Sequence, residues 1–523
     1  MRWRRDTRVA PAERGPRGTG LPSLFAALAG FSTLLAFEPF GWWPVELLAL
    51  AFLFYQVGMD TRVRRSAIIG WAFGFGWSVA GMHWLYIAMN RFGGLAAPLA
   101  ALAICLLAGY MGLFSALCTG AATWLRRRWS LRVPAFLLLT LPVTWALSEW
   151  MRGWVFTGFP WAASGYAHNA APLGGFAPLI GVYGIGMLTA LAAACLVMLT
   201  QRGRLPALGL LALIMGVGAL LRPVAWTHPQ GQPIHVRLLQ GNVPQDQKFS
   251  PDNLSATLRL YRDMITAAPA DLIATPETAI PMFPVYLPPD YLAGLAAYAK
   301  ASGSALLLGI PLGTPESASN SVSGVTAAGD PSYHYDKHHL VPFGEFVPPG
   351  FHWFVRLMNI PLGDFNRGAK VQPAFVVKDQ LVLPNICYED AFGEEIADQL
   401  RSAARPATML LNMSNLAWYG ESVAVPQHLQ ISQMRALETG RPMLRATNSG
   451  ATAVIDGRGK VAAQIAPYRP GVLDATVQGM AGSTPYIRFG NLGFLLLGAL
   501  ALGASWLSGR RHAKNRAEKQ GQN

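Results

Sequence analysis

Charge is scarce in this chain. Asp, Glu, Lys and Arg make up 13% of its 523 residues, and 52% are hydrophobic. Soluble domains carry about 25% charged residues, so an ordinary water-exposed protein of this length is excluded. Cysteine is scarce too, with four in the chain. Cys105, Cys118 and Cys195 fall inside apolar runs, where a thiol packs as a small apolar group. Cys387 stands alone in the long polar region, so no disulfide can form within that region.

Positive charge is in surplus overall, at +14, but it is missing from most of the chain. Residues 1–21, 59–65, 126–132, 201–204 and 509–523 hold twenty Lys or Arg against Asp6, Glu13, Asp60 and Glu518. That is a net +16, so everything else carries −2. No basic surface is left for nucleic acid. Arginine bands between apolar runs mark the cytoplasmic loops of a membrane protein.

A bilayer core of about 30 Å takes roughly 20 helical residues. Eight apolar runs qualify as spans, near 22–37, 43–58, 66–88, 95–120, 133–150, 174–200, 205–222 and 489–508. The first two are short and joined at Glu38-Pro39-Phe40-Gly41, consistent with a hairpin. A second span follows the first at once with no small-residue cleavage site, which argues against a cleaved signal peptide. Placing residues 1–21 in the cytoplasm returns every other basic band there. Both termini are then inside, and residues 223–488 lie on the far side. The expected organisation is a membrane domain over 1–222 with seven helices, a catalytic domain over 223–488, and the eighth helix with a basic tail over 489–523. The aromatic, glycine-rich loop 151–173 reads as an interfacial loop, with a substrate-lining role as the alternative.

Residues 232–480 alternate strand-like runs (235–243, 271–277, 304–313, 380–390, 407–415, 443–456) with helix-like ones (252–267, 289–302, 391–403, 425–439). That alternation predicts a layered α/β domain. Three of its segments put distinctive side chains at strand ends, where open α/β folds build their sites. They are Ala274-Thr275-Pro276-Glu277, then Lys337-His338-His339-Leu340-Val341-Pro342-Phe343-Gly344-Glu345, then Pro384-Asn385-Ile386-Cys387-Tyr388-Glu389-Asp390.

Taken singly these residues have plain explanations. A cysteine at a strand end is usually a small core residue. An isolated Glu or Lys is usually a solvated surface charge. As chemistry they fit together. A thiol with a pKa near 8.5 needs a base to become a thiolate, and Glu277 can serve if burial raises its pKa. Lys337, with a backbone N–H near Cys387, can stabilise the oxyanion made when an ester carbonyl is attacked. The product is a thioester, which keeps the acyl group reactive.

In this order and inside this topology, the motifs resemble the carbon–nitrogen hydrolase (nitrilase) superfamily and its membrane-bound branch, the apolipoprotein N-acyltransferases. The motif likeness covers roughly 235–460. The resemblance implies an αββα sandwich with Glu277, Lys337 and Cys387 as a triad. It implies supporting roles for Glu345, which would orient Lys337, and for Tyr388, Glu389 and Asn320. Phe249 stands where such proteins place Trp. The implied reaction is ping-pong N-acylation. A phospholipid such as phosphatidylethanolamine donates an acyl chain to Cys387, and the α-amino group of a diacylglyceryl-cysteine at a lipoprotein N-terminus accepts it. The alternative is a membrane-tethered amidase using water. A transporter is disfavoured because intramembrane ionisable residues are few, Glu149 among them. His338, His339 and His428 lack zinc spacing, so no metal is expected, nor any organic cofactor.

The donor would be a membrane lipid, so the domain must touch the bilayer. Phe351, Phe354 and Met358, with Trp353, Leu357 and Ile360, make 350–362 apolar around much of a short helix, beside Phe343. Either this is an arm dipping into the membrane, with Phe343, Trp353 and Phe354 admitting lipid, or a helix packed on the domain core.

Overall fold

A computed structural model of the chain describes residues 19–201, 204–351, 353 and 364–521. All eight apolar runs are helical at their centres. Five of these helices are long and apolar enough to cross a membrane, namely Ala97–Arg128, Val133–Arg152, Pro172–Leu199, Arg204–Leu221 and Leu492–Gln520. Gly20–Ala36 and Trp43–Gly58 are shorter apolar helices. Val63–Met82 carries Arg64, Arg65 and four glycines, which lower its hydropathy. Those glycines have a packing reason. A Cβ at Gly76 would strike the Ala27 carbonyl, and one at Gly30 would strike that of Phe73. Small residues let apolar helices approach this closely where packing, not water, drives association.

The α/β part is built from two six-stranded sheets packed face to face. One runs Gly471–Val477, Ile234–Gln240, Leu272–Ala274, Ala305–Thr314, Ser317–Val325 and Tyr333–Asp336 in spatial order. The other runs Val461–Gln464, Ala453–Ile455, Met443–Thr447, Met409–Ser414, Gln380–Ile386 and Phe375–Val377. The sequence makes this inevitable locally. Its central strands carry apolar residues on both faces, and alternate residues point to opposite faces. Val236 and Leu238 meet Leu411, Met413 and Leu444 of the facing sheet. Leu239, Ile273, Leu306 and Leu308 point the other way, onto Leu258, Ile265, Leu295 and Ala299 of the helices Pro251–Thr266 and Tyr291–Ser302. On the far side, Leu383, Leu410 and Met443 bury against Ile396, Leu400 and Ala436 of Gly393–Ser402 and Ala424–Thr439. The expected αββα sandwich is present. Each such leucine contributes about 1.5–3 kcal/mol by leaving water.

Three expectations need correcting. The run 380–390 ends as a strand at Ile386, and Cys387–Ala391 turns as a 3₁₀ helix. The run 443–456 is two antiparallel strands, broken by the Asn448-Ser449-Gly450 turn. Loop 151–173 is not merely interfacial. Most of it is buried between the apolar helices and the sandwich. Asn169 Nδ2 donates to the Gln430 carbonyl at 2.6 Å, and Tyr166 Oη to that of Ala391 at 3.2 Å.

Candidate active site

Glu277, Lys337 and Cys387 each follow the last residue of a strand by three residues or fewer, after Leu272–Ala274, Tyr333–Asp336 and Gln380–Ile386. The two sheets carry all three to one edge of the sandwich. The lysine is the centre of the arrangement. Its Nζ lies 2.8 Å from Glu345 Oε1 and 3.4 Å from Glu277 Oε1, and its side chain is 1% exposed. Asn320 Nδ2 donates to the same two oxygens, at 2.7 and 2.8 Å. Two carboxylates are thus bridged by one ammonium and one amide. Glu277 Oε2 accepts the Asn415 N–H at 2.9 Å, and Glu345 Oε2 accepts that of Val341 at 2.8 Å. Glu345 is the nearer carboxylate to Lys337, which fits an orienting role.

Charge states follow from this geometry. Burial pushes the Glu277 carboxyl up, but Lys337, Asn320, Lys248 and the Asn415 N–H outweigh it and hold its pKa below the usual value. The expectation that burial would raise it is therefore corrected. Burial also works against the Lys337 ammonium, but Glu345 and Glu277 prevail and hold its pKa above the ordinary lysine range. Burial, with Glu277 adding to it, pushes the Cys387 thiol well up against the pull of Lys337. The site at rest holds a neutral thiol in the field of an ionised carboxylate and a fixed ammonium. It does not hold a preformed thiolate.

Cys387 itself is half-buried, with φ of +52°. A left-handed conformation costs an L residue about 1–2 kcal/mol, so the turn must be held. Glu389 does much of this. It accepts the Ile386 N–H at 2.6 Å, those of His338 and His339 at 2.7 and 3.2 Å, and the Tyr335 hydroxyl at 3.0 Å. One buried carboxylate therefore staples the cysteine turn to the lysine loop. Tyr388 points away, its Oη donating to the Gly158 carbonyl at 3.0 Å in the loop between apolar helices.

Sequence reasoning missed Lys248. It is 2% exposed, and its Nζ donates to the Glu277 carbonyl at 3.0 Å. Burial draws its pKa down to about 8, opposed by Glu277 and Cys387. Its neighbour Phe249 is 37% exposed, its ring 6.0 Å from that Nζ. The signal available was a Lys directly before an aromatic in a stretch otherwise poor in cations. Phe343 has φ of +64° and stacks edge-on against Phe351 at 5.4 Å. Trp353 is 62% exposed. Phe354 and most of 350–362 lie outside the described residues.

A mostly apolar cleft of about 860 Å³ opens between the segment 83–87, the helix Ala97–Arg128 and the segment after Met409–Ser414. Trp84, Ile87, Ala101 and Ile104 line one side, and Val423, Pro426 and Tyr468 the other. Tyr468 packs on the same small cluster, Leu416, Val425 and Ala451, that Cys387 and Tyr419 pack on.

Two family patterns match this chain. Apolipoprotein N-acyltransferase N-terminal domain covers residues 29–195, and Carbon-nitrogen hydrolase covers 235–486. A protein of Ralstonia nicotianae named apolipoprotein N-acyltransferase is 49% identical over 93% of this chain and 93% of its own length. One of that name from Bordetella bronchiseptica is 42% identical over 96% and 99% of the respective chains. Another, from Nitrosomonas europaea, is 43% identical over 93% and 98%. The chain belongs to the apolipoprotein N-acyltransferase family. Its apolar helices and bacterial relatives make it a bacterial membrane protein. Within the family frame, the carbon–nitrogen hydrolase region holds all three triad candidates and Asn320, Glu345, Tyr388 and Glu389.

Proposed function

We propose that this enzyme transfers an acyl chain from a membrane phospholipid to the α-amino group of an S-diacylglyceryl-cysteine at a lipoprotein N-terminus, through a thioester on Cys387. The supporting observation is the neutral, half-buried thiol beside an ionised Glu277 and a doubly paired Lys337. Lysophospholipid is the first product, and the N-acylated lipoprotein the second.

Glu277 takes the proton of the Cys387 thiol as the sulfur bonds to the ester carbonyl carbon. The oxyanion that forms is stabilised by Lys337 and by the Tyr388 N–H. The C–O bond breaks, and the departing glycerol oxygen takes the proton back from Glu277. A neutral amine then attacks the thioester and gives its proton to Glu277. The C–S bond breaks, the sulfur is reprotonated, and the amide leaves. Because the base is ionised at rest, each half-reaction begins with Glu277 able to accept.

The acyl chain reaches the thiol along the apolar cleft at Ile87, Ala101 and Ile104. The arm with Phe343 and Trp353 rests on the bilayer surface beside the lysine loop; the exposed Phe351 and Trp353 support this. The chain spans the inner membrane eight times, with residues 1–222, 223–488 and 489–523 as membrane, periplasmic catalytic and anchoring parts and both termini cytoplasmic. The arginine bands support that orientation.

The test is reconstitution in phosphatidylethanolamine vesicles with an S-diacylglyceryl peptide bearing a free amine. Acylated peptide and lysophospholipid should appear in equal amounts. Release of free fatty acid at the same rate with and without peptide would favour the water-using amidase instead.

A further inference from the structure

Beneath the cysteine turn lies a buried ionic cluster that the steps above leave unused. Asp390 accepts from Arg445 Nη1 at 3.1 Å and from the Ser432 hydroxyl, and its Oδ1 lies 2.8 Å from His428 Nε2. Arg445 Nη2 sits 2.9 Å from His428 Nδ1. A guanidinium can only donate, so Nδ1 accepts and the ring hydrogen is on Nε2. That hydrogen goes to the Cys387 carbonyl oxygen, 3.2 Å from Nε2. Asn412 Nδ2 donates to the same oxygen at 3.0 Å. The face of the imidazole is covered by Trp161, at a centroid distance of 5.7 Å and an interplanar angle of 8°. Trp161 comes from the loop between apolar helices, and its Nε1 is bonded to Gln427 at 2.8 Å.

Two residues from separate stretches, His428 and Asn412, thus hold one carbonyl. That carbonyl belongs to the strained residue at φ +52°, which relaxes unless its surroundings over-determine it. Across a trans peptide the C=O and the next N–H point in opposite directions. Pinning the Cys387 oxygen therefore aims the Tyr388 N–H at the opposite side, where the oxyanion forms.

We infer that His428 is a positioning residue for acyl-enzyme formation. Gripped by Asp390 and Arg445 at its edge and by Trp161 on its face, it holds the Cys387 carbonyl, and so ties the nucleophile's geometry to the membrane part of the chain. This rests on the function proposed above. The clamp touches neither acyl donor nor acceptor. It acts on the rate of acylation and leaves donor binding alone.

The experiment uses full-length enzyme in phosphatidylethanolamine vesicles. Single-turnover thioester formation is followed by intact-protein mass spectrometry, over a range of donor content. His428→Phe keeps a ring against Trp161 but loses both hydrogen bonds. It should slow acylation about 10- to 100-fold, the effect of a small misplacement of reacting groups, with the half-saturating donor content unchanged. His428→Gln restores an N–H donor near Nε2 and should recover most of the rate. Trp161→Leu leaves the Asp390–Arg445 pair intact and should also slow acylation, which keeps the test open where the Phe variant does not fold. The inference is overturned by His428→Phe or Trp161→Leu acylating at the wild-type rate, by a loss that lies wholly in donor saturation, or by a Gln variant as slow as the Phe variant. Absence of any thioester in the wild type is a different failure. It would overturn the proposed function, and the clamp's role with it.

Discussion

Glu345→Gln is the most informative single change, because it removes a charge while keeping a shape. In the native site, Lys337 Nζ is 2.8 Å from Glu345 and 3.4 Å from Glu277. With an effective dielectric of about 20, those separations correspond to gross attractions of about 6 and about 5 kcal/mol. Most of that is offset by the cost of burying the charges, several kcal/mol for each ion. Stability should therefore change far less than the gross figures. Glutamine supplies one oxygen, which can still accept from Asn320 and Lys337. Its NH₂ then faces the Val341 N–H that Glu345 Oε2 accepts in the native site. That donor–donor mismatch costs about 1–3 kcal/mol, a melting shift of a few degrees at about 2–4 °C per kcal/mol. The effect on chemistry should be larger. With only Glu277 attracting it, the ammonium shifts toward the base and away from the oxyanion position. A displacement near 1 Å costs about 100-fold. We expect single-turnover acylation to fall about 10- to 100-fold with donor saturation unchanged. A Glu345→Gln enzyme that acylates at the wild-type rate would refute the view that Lys337 is placed by two carboxylates.

The remaining expectations concern pH and access. The folded pKa of Glu277 is depressed, so its stabilising contribution is present above the unfolded value near 4.5 and is lost as pH falls through the folded value. That of Lys337 is raised, so its contribution is complete below the unfolded value near 10.5 and is lost only as pH climbs through the folded one. Neither titrates between pH 6 and 9. Transfer to the amine should then rise with pH around the ordinary α-amino value of about 8, and a transfer rate that stays level from pH 6 to 9 would contradict this. Lys248 does titrate in that window, at about 8. Any inflection near that pH in the acylation step should vanish in Lys248→Met, and its persistence would assign it elsewhere. Ala101→Trp should partly fill the cleft and slow acylation by long-chain donors about tenfold with little change in melting temperature; equal rates with short and long donors would argue that acyl chains travel by another route.

Glu277 and Cys387 stood out as candidates because each closes an apolar run that reads as a strand, and because Cys387 is the lone cysteine of its region; Lys337 stood out by its motif alone. The helices 252–267, 289–302, 391–403 and 425–439 were placed within two residues at each end. The strands Ser317–Val325 and Tyr333–Asp336 were not seen. Serines, Asn320 and Gly324 fill the first, so nothing in its composition marks a strand. Burial of alternate residues there comes from the neighbouring strand Ala305–Thr314, not from local preference. The same limit hid His428 and Arg445. Both lie in otherwise ordinary segments, and only the fold brings them to Asp390. Loop 151–173 was read as interfacial because aromatics and glycines suit a bilayer surface equally well. What Trp161, Tyr166 and Asn169 pack against lies more than 200 residues away. The sign of the Glu277 shift was missed for a related reason. Burial was foreseeable, but the four groups that outweigh it come from four different segments.

The central claim is that Cys387 carries the acyl group between donor and acceptor. The direct measurement is intact mass of the enzyme purified from phosphatidylethanolamine-rich membranes, with peptide mapping of the modified residue. The account predicts a fatty-acyl adduct on Cys387 that is lost within one turnover when an S-diacylglyceryl peptide with a free amine is added, and that persists when that amine is blocked. An unmodified Cys387 in an enzyme that still acylates the peptide would contradict it.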